Sequence, residues 1–387
     1  MFKRILLVGA LLATVTGCTT VRGWFGGKDD GKPTEPAALV DFTPTASVSR
    51  LWTANIGKGE DRLGIRQGPS VADGRVYAAA VRGGVRALDL QTGSQLWHYP
   101  SDARISGGPG SGDGLVVAGT LDGEVIALDA ATGAERWQAK VSNEVIAAPT
   151  VGQGLVLVRS NDGRVTALDA ATGERRWFYV SDLPSLTVRG NAPVTLGPAI
   201  AFVGNDDGTV AAMALGDGRL LWRQVVGVPD GRTELERMAD VDGAVILDGT
   251  TLFATSYKNE TMSIDGPSGR PLWTRDKGGA GGLGRGAAAM VVADPGGTVW
   301  SLEKSSGNPL WSNASLVRRS LTGPAVQGQY AVVGDFDGYI HWLRMEDGAL
   351  AARQRVGRKA VKAQPVVADG IVLVQNTDGQ ITAYRLQ

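Results

Sequence analysis

Apolar and polar residues alternate over short stretches of this chain, and glycine-containing turns separate the stretches. In residues 123–137, Val125 and Ala127 have the spacing of one face of a β-strand, 129–133 has the composition of a turn, and a second short strand ends at Trp137. A period of two is typical of strands, because successive side chains point to opposite faces of a sheet. The pattern therefore predicts an antiparallel hairpin.

The same hairpin ends at Trp97 and again at Trp177, which gives a repeat of about 40 residues. In each repeat an Asp can accept hydrogen bonds from the turn backbone, and a Gly can adopt the positive φ that a tight turn requires. The Trp side chain is large and apolar, and a single sheet cannot cover it, so a neighbouring sheet must bury it. Four short strands per repeat, with a Trp side chain between neighbouring sheets, predict the blades of a β-propeller.

Eight repeats follow one another in this way. The seventh has Ala352 where the others have Trp, and the eighth stops at Gln387 before any Trp strand. The stretch Leu51–Ile56, in front of the first repeat, looks like a Trp strand without the three strands that normally precede it. We therefore predict an all-β fold, an eight-bladed β-propeller of four-stranded blades, in which this N-terminal strand completes the last blade and removes the open edge.

Composition agrees with one closed ring of repeats. Glycine and proline account for 55 and 17 of the 387 residues, which suits many tight turns and stays below the low-complexity range. The 39 Lys and Arg residues balance the 39 Asp and Glu residues, so the chain has no global charge that would attract nucleic acid. We therefore expect a single folded domain over residues 42–387 and no nucleic-acid partner.

The N-terminus has the features of an export signal. Lys3 and Arg4 precede an apolar run, 5–12, that is too short to span a membrane. The sequence Val-Thr-Gly-Cys at 15–18 resembles a lipoprotein signal-peptidase site. Residues 1–17 are thus predicted to be a signal peptide, and Cys18 the lipidated residue. An ordinary secretory signal followed by an incidental cysteine is the alternative.

Acylation of Cys18 would leave no thiol for a disulfide, a metal or a redox role, because it is the only cysteine. The residue after it is Thr19 rather than Asp, which in the lipobox family implies sorting to the outer membrane of a diderm bacterium. Residues 18–41 carry Gly, Lys, Asp and Pro without any period, and they are predicted to form a flexible tether. The expected location is therefore the periplasmic face of the outer membrane, held by the lipid anchor.

Two consecutive connections between blades are longer than the others. The spacing from Trp177 to Trp222, and from there to Trp273, exceeds that of the earlier tryptophans, and the additional residues follow the Trp strand. Equivalent connections emerge on one face of a propeller, so these two loops should lie side by side. A short helix is predicted around Thr233–Met238 in the second loop.

The two loops carry a mixture of residues that is typical of protein interfaces. The positions concerned are Leu186, Val188 and Arg189 in the first loop, and Asp240 and Asp242 in the second. In the alternative interpretation, the apolar residues cover an edge of the core and the acids shape a turn. If the loops do form an interface, the acids either hold Arg189 in place within this chain or meet a basic group on the partner.

The unit Ala-Leu-Asp-x-x-Thr-Gly-x-x-x-Trp resembles the repeat of pyrroloquinoline-quinone-type propellers. Quinoprotein dehydrogenases with this fold add an adjacent cysteine pair, a calcium ligand set and a catalytic Asp. The single cysteine excludes the pair, whereas spacing alone does not exclude the calcium set. Because a shared fold does not bring its chemistry along, we expect a protein that is not an enzyme and has no cofactor.

Nearly the whole chain resembles the BamB family of outer-membrane lipoproteins, most specifically at 182–191, 233–242 and 333–342. The resemblance implies a scaffold of the outer-membrane β-barrel assembly (BAM) complex that binds the periplasmic POTRA domains of BamA and assists folding and insertion of outer membrane proteins. Direct binding of nascent outer membrane proteins stays open. The family's partner-binding motif falls on Leu186, Val188, Arg189, Asp240 and Asp242.

Other candidate sites have little support in the sequence. His98 and His341 are far apart along the chain and do not have the spacing of metal ligands. The glycine-rich stretch 278–286 lacks the Lys-Ser/Thr pair of a phosphate-binding loop. Arg318 and Arg319 form an isolated basic pair. We therefore predict neither a catalytic constellation nor a metal site.

Overall fold

The computed structural model describes residues 34–60, 64–190 and 192–387. The chain divides into two compact units, Met1–Glu35 and Pro36–Gln387, and of the first unit only Thr34 and Glu35 are described. The predicted signal peptide and Cys18 lie outside the described residues. No helix in the described part is long and apolar enough to cross a membrane.

The second unit is built from strands that pair in sequence order, four to a sheet. The first strand of the chain is β1 (Val48–Asn55). Blade one contains β2 (Ser70–Ala72), β3 (Arg75–Ala79), β4 (Val85–Asp89) and β5 (Gln95–Tyr99). Blade two contains β6 (Ile105–Gly112), β7 (Leu115–Thr120), β8 (Glu124–Asp129) and β9 (Glu135–Lys140). Blade three contains β10 (Thr150–Gly152), β11 (Leu155–Arg159), β12 (Arg164–Asp169) and β13 (Arg175–Val180). Blade four contains β14 (Thr195–Leu196), β15 (Ile200–Gly204), β16 (Thr209–Ala214) and β17 (Leu220–Val225).

The second half of the ring continues in the same order after a short helix, α1 (Glu234–Arg237). Blade five contains β18 (Ile246–Asp248), β19 (Thr251–Thr255), β20 (Thr261–Asp265) and β21 (Pro271–Arg275). Blade six contains β22 (Leu283–Arg285), β23 (Ala289–Ala293), β24 (Val299–Glu303) and β25 (Pro309–Asn313). Blade seven contains β26 (Ala325–Gln327), β27 (Tyr330–Gly334), β28 (Tyr339–Arg344) and β29 (Leu350–Arg355). Blade eight contains β30 (Val366–Ala368), β31 (Ile371–Gln375) and β32 (Gln380–Leu386), and β1 is its fourth strand.

The turn of the repeated hairpin is held by its aspartate. In blade two, Asp129 Oδ1 accepts hydrogen bonds from the N–H groups of Ala131 and Thr132, at 3.0 and 2.9 Å, and from the Thr132 hydroxyl at 2.8 Å. Gly133 follows with a φ of 75°. A short polar side chain thus replaces the missing partners of the turn backbone, as the sequence pattern predicts.

The tryptophan of each hairpin joins its blade to the next. Trp137 Nε1 donates to the Ala170 carbonyl of blade three at 2.9 Å, and its indole packs on Gly173. The same indole-to-carbonyl bond is made by Trp52, Trp97, Trp177, Trp222, Trp273 and Trp311. Buried apolar clusters between neighbouring sheets contain these rings, so the core is a series of inter-blade layers.

Pairing between the two ends of the domain closes the ring. β1 runs antiparallel to β32, from the pair Val48–Leu386 to the pair Asn55–Gln380. The resulting sheet has the order β1-β32-β31-β30, so the N-terminal strand completes blade eight. The predicted closure is confirmed, and it covers the strand edge that the C-terminal blade would otherwise expose.

The seam between blades seven and eight is packed differently, because Ala352 stands in place of the tryptophan. Trp342, on the neighbouring strand β28, is fully buried there. Its ring meets Tyr384 of blade eight edge-on at a centroid distance of 5.7 Å, and its Nε1 donates to Gln327 Oε1 at 2.8 Å. An aromatic ring from the adjacent strand thus fills the space that Ala352 leaves.

Contacts with the propeller begin before β1, inside the stretch predicted as a tether. Ala37 N–H donates to the Val317 carbonyl at 3.1 Å, and the N–H groups of Thr45 and Ala46 donate to the Ala351 carbonyl at 2.9 and 3.1 Å. The backbone carbonyls of Val317 and Ala351 thus hold this segment through its own backbone N–H groups, which its composition does not indicate.

Candidate functional site

Both enlarged loops leave the outer strand of a blade on the same face of the ring. Residues 181–194 connect β13 to β14, and residues 226–245 connect β17 to β18. The second loop contains α1, whose start is fixed by a capping box: the Thr233 hydroxyl accepts the Glu236 N–H at 3.2 Å, and the Glu236 carboxylate accepts the Thr233 N–H at 3.1 Å. The predicted short helix is confirmed.

The first loop presents an apolar and a cationic side chain to solvent. Leu183 and Leu186 are 47% and 42% exposed, whereas Val188 and Arg189 are half-buried. Arg189 adopts a left-handed backbone conformation, with a φ of 58°. A non-glycine residue in this region is uncommon and persists where its surroundings hold it.

An ion pair with Glu144 holds Arg189. Arg189 Nε donates to Glu144 Oε1 at 3.1 Å, and Nη2 donates to Oε2 at 2.5 Å, which makes the pair bidentate. Asn161 Nδ2 donates to the same Glu144 carboxylate at 2.7 Å. Glu144 lies in the connection from blade two to blade three, so the site spans one more blade than the sequence indicates.

Asp240 holds the first loop from below through the backbone of Val188. Its Oδ1 accepts the Val188 N–H at 2.7 Å, and its side chain has no exposed surface. Asp242 is 4% exposed and lies so close to Gly190 that a Cβ there would be 2.0 Å from Asp242 Oδ2. Both acids are therefore buried under the loop that carries Arg189, and it is Glu144 that supplies the carboxylate for this arginine.

Three carboxylates meet under the loop. Oxygens of Asp206, Asp240 and Asp242 all lie within 4.8 Å of one another, and this is the only such group of three among the described residues. Arg159, which is 1% exposed, donates from Nη2 to Asp206 Oδ1 at 3.0 Å. The arginine thus supplies at this place the positive charge that a cation would bring, and we assign no metal here.

Burial makes full ionisation of this cluster unfavourable. It raises the pKa of Asp240 to about 6 and the pKa of Asp242 to about 7. The carboxylate of Asp206 acts in the same direction on both groups, whereas Arg159 favours ionisation. Asp240 and Asp242 each raise the cost of ionising the other, and Asp240 in its place accepts the Val188 N–H of the loop above.

The ring axis opens beside the first loop. A cavity of about 480 Å³ at this place is lined by, among others, Arg66, Val188, Tyr257, Asp294 and Lys362. Arg66 crosses to the opposite side of the ring, where its Nη1 donates to the Ala280 carbonyl at 3.0 Å. The charged residues of the lining are two cations, Arg66 and Lys362, and one carboxylate, Asp294.

Glu144, Arg159 and Asp206 were not predicted from the sequence. Arg159 and Asp206 lie in or next to turns that resemble the other turns of the repeat, and Glu144 lies in a connection between blades. Only folding brings the three residues under or beside the enlarged loop. The sequence holds one signal for Arg159: it is the only charged residue of β11, whose other residues are apolar, and it is buried like most of them. A buried charge of this kind requires a partner.

Comparison with known proteins identifies the family. A family model described as "Outer membrane protein assembly factor BamB" matches residues 40–105, 81–313 and 295–386. A protein with that name from Xanthomonas campestris pv. campestris is 62% identical over 398 residues, covering 100% of this chain and 98% of the relative. The Escherichia coli protein of the same name is 32% identical, with coverage of 98% on both sides.

Solved structures agree with this relationship. BamB from Moraxella catarrhalis has a TM-score of 0.80 at 27% identity, covering 88% of this chain and 100% of that chain. Quinohemoprotein alcohol dehydrogenase from Comamonas testosteroni has a TM-score of 0.68 at 17% identity, covering 90% of this chain and 78% of that chain, and at this identity shares the fold alone. The chain is therefore a member of the BamB family of outer membrane protein assembly factors.

Proposed function

We propose that this protein is a non-enzymatic scaffold of the outer-membrane β-barrel assembly complex. It binds the periplasmic POTRA domains of BamA through the face that carries the two enlarged loops, and so assists folding and insertion of outer membrane proteins. One observation carries the proposal: an exposed Leu186 stands beside an arginine that is held in an uncommon backbone conformation by a buried acidic support.

The contact residues of the proposed docking face are Leu186, Val188 and Arg189. Leu186 offers apolar surface, and Arg189 keeps about a third of its side chain exposed although Glu144 binds it. An arginine that is already oriented loses less conformational freedom on binding than a free one. The partner group that suits this place is a carbonyl or a carboxylate beside an apolar recess.

Asp240 and Asp242 serve this face from beneath it. Their burial leaves no surface for a partner, and Asp240 binds the backbone of Val188. We infer that the two acids are positioning residues that fix the first loop. Their loss should weaken docking through the shape of the loop, whereas loss of Leu186 should weaken it through lost contact area.

The location follows from the N-terminus and the family. We propose that residues 1–17 are removed, that Cys18 is acylated, and that the segment after it tethers the propeller to the periplasmic face of the outer membrane. A lipid anchor suits a protein whose described residues contain no membrane-spanning helix. Nascent outer membrane proteins are further candidate ligands of the exposed loops.

A quinone-dependent dehydrogenase is the second candidate, because enzymes of that class share the fold. The adjacent cysteine pair that the quinoprotein resemblance implies is impossible in a chain with one cysteine. Mixing the purified protein with pyrroloquinoline quinone and calcium, and following dye reduction with alcohols, separates the two classes. Reduction above that of a heat-denatured sample would contradict the scaffold proposal.

The docking test compares two double variants. Leu186→Ala combined with Arg189→Glu should weaken binding to the purified POTRA domains of BamA by about tenfold or more, with an unchanged melting temperature. Leu310→Ala combined with Arg136→Glu is the matched control, because Leu310 is 55% exposed and the Arg136 side chain 58% exposed on other blades. Equal binding by both double variants would show that this face is not the docking site.

A charge exchange separates direct contact from positioning. Arg189→Glu combined with Glu144→Arg restores an ion pair within the chain but reverses the charge offered to the partner. If Arg189 contacts the POTRA domains, binding stays lost in the exchanged variant. If Arg189 only holds the loop, binding recovers.

A further inference from the structure

The third stretch that is specific to the family, 333–342, lies in blade seven, away from the loops between blades three and five. It contains Asp335 and His341, which have no exposed surface, and both face Arg319, which is 5% exposed. Asp335 Oδ2 accepts hydrogen bonds from Arg319 Nε at 2.7 Å and from His341 Nε2 at 3.1 Å. Burying such charges is unfavourable unless they are paired, and the docking face does not use them.

This cluster holds the segment Ala37–Ala46, which we call the N-terminal strap. Arg319 Nη1 donates to the Ala37 carbonyl at 3.0 Å. Arg353 Nη2 donates to the Val40 carbonyl at 3.0 Å, and its guanidinium carbon lies 5.0 Å from the centroid of the Phe42 ring. Both arginines bind backbone carbonyls or a ring of the strap. These contacts fix where the strap lies and do not depend on charged side chains in it.

His341 connects the two arginines. Its Nε2 faces Asp335, and its Nδ1 accepts from Arg353 Nε at 3.4 Å. These contacts fit the neutral imidazole with its proton on Nε2. Burial, the largest effect, lowers the pKa of His341; Asp335 opposes this, and Arg353 and Arg319 add to it.

The other charged and titratable groups around His341 leave Asp335 ionised. Tyr339 lies beside His341 at a ring-centroid distance of 6.3 Å, and Asp41 of the strap acts on Arg353. Burial opposes ionisation of Asp335, but the hydrogen bonds from His341 and Arg319 outweigh it and hold the pKa of Asp335 below its usual value. His341, whose pKa lies below the usual histidine range, is the group of this cluster that can take up a further proton, and the lowered pKa of Asp335 favours its bond to Arg319.

We propose that Asp335, His341, Arg319 and Arg353 form a latch that holds the N-terminal strap on blade seven, and that a second proton on His341 opens it. The added proton sits on Nδ1, where it turns the acceptor of Arg353 into a donor and places a positive charge next to the guanidinium. Arg353 then moves away from the imidazole and loses its hydrogen bond to the Val40 carbonyl and its contact with the Phe42 ring. The hydrogen bond from Arg319 to Asp335 remains.

The strap that the latch holds lies against blade seven and reaches its seam with blade eight. The strap covers the outer strand of blade seven, where Thr45 and Ala46 bind the Ala351 carbonyl. Leu39 packs against the apolar cluster that contains Trp311, and Ala46 packs at the seam with blade eight, where Trp342 on β28 replaces the tryptophan of the outer strand. A closed latch therefore fixes where the N-terminal part of the chain joins the propeller, independently of the docking face.

Hydrogen exchange of the full-length protein tests the latch. In a series from pH 7.5 to pH 4.5, with exchange times corrected for the intrinsic rate, the amides of Ala37, Thr45 and Ala46 should be protected at the upper end. Thr45 and Ala46 should lose about tenfold or more of their protection at the lower end, while Ala37, which Arg319 still holds, and β1 stay protected. Unchanged strap protection across the series would overturn the proposal.

Two variants and a control separate the latch from general loosening. His341→Gln cannot take up the second proton, and its amide can still donate to Asp335 and accept from Arg353, so the strap should stay protected in acid. Arg353→Ala should release the strap at every pH. Arg355→Ala, on the same strand and stacked on Tyr339, should leave it protected. Acid release in His341→Gln equal to that of the parent would refute the role of His341, and a protected strap in Arg353→Ala would refute the latch.

Discussion

Replacing Gly173 by alanine tests how closely the blades pack. Gly173 lies in the turn between β12 and β13 with a φ of 75°, and the indole of Trp137 from blade two rests on it. A Cβ at this position would lie 2.6 Å from Trp137 Cε3, closer than carbon atoms approach without displacement. Alanine must therefore adopt a left-handed conformation and also displace the indole.

Gly154 separates these two effects. It also has a φ of 75°, but a Cβ there would meet no heavy atom within 4 Å. Gly154→Ala thus measures the backbone effect alone, about 1–2 kcal/mol. Overpacking against the indole adds about 1–3 kcal/mol, so Gly173→Ala should lower the free energy of unfolding by that much more than Gly154→Ala.

Denaturant unfolding of both variants, in the parent and in a Trp137→Ala background, completes the test. Trp137→Ala alone should lower the free energy of unfolding by about 3–5 kcal/mol, because it removes a large buried ring and its bond to Ala170. In that background Gly173→Ala should be no more harmful than Gly154→Ala. Equal effects of the two alanines in the parent would show that Trp137 does not press on the turn, and would refute this account of blade packing.

Three further outcomes follow. Deleting Leu51–Ile56 should lower the melting temperature of the whole domain, because it exposes the edge of β32; melting at the parent temperature would contradict ring closure. Burial raises the pKa of Asp242 to about 7, so the folded state favours the protonated acid, and this contribution is lost as pH rises from the usual aspartate range through 7. Relative to Asp242→Asn, the parent should therefore lose about 2–3 kcal/mol of unfolding free energy between pH 5 and pH 8, and a constant difference would exclude the linkage. His341, whose pKa is lowered, acts in the opposite direction in acid and cancels in that difference. Cys18→Ala should yield a folded protein that leaves the membrane fraction, and firm retention there would mean that a partner holds it.

Local patterns determined most of the fold. The hairpin of blade two needs only an alternating strand, an Asp and a Gly at fixed positions, and each of these acts over a few residues, as the bonds of Asp129 do. Repetition of the pattern then specified eight blades, and the lone Trp strand at the N-terminus together with the incomplete last repeat specified the closure. Lengthened spacing after Trp177 and Trp222 also located both enlarged loops.

Partnerships between charges depended on the tertiary structure. Arg189 binds Glu144, Asp240 binds the backbone of Val188, and Arg353 binds the Val40 carbonyl. The partners in these pairs are 45, 52 and 313 residues apart in the chain. The turns of the different blades contain many acids and arginines in similar local sequences. Which of these residues form pairs therefore depends on the positions of whole blades relative to one another.

The sequence by itself thus determined the blades, their number, the closing strand and the place of the two loops, because strand alternation and turn chemistry act over neighbouring residues. Only the tertiary structure decided that Asp240 and Asp242 lie beneath the loop rather than on it, and that blade seven holds the N-terminal strap. Burial and the pairing of buried charges depend on what surrounds a side chain in space, and in a ring those surroundings come from other blades.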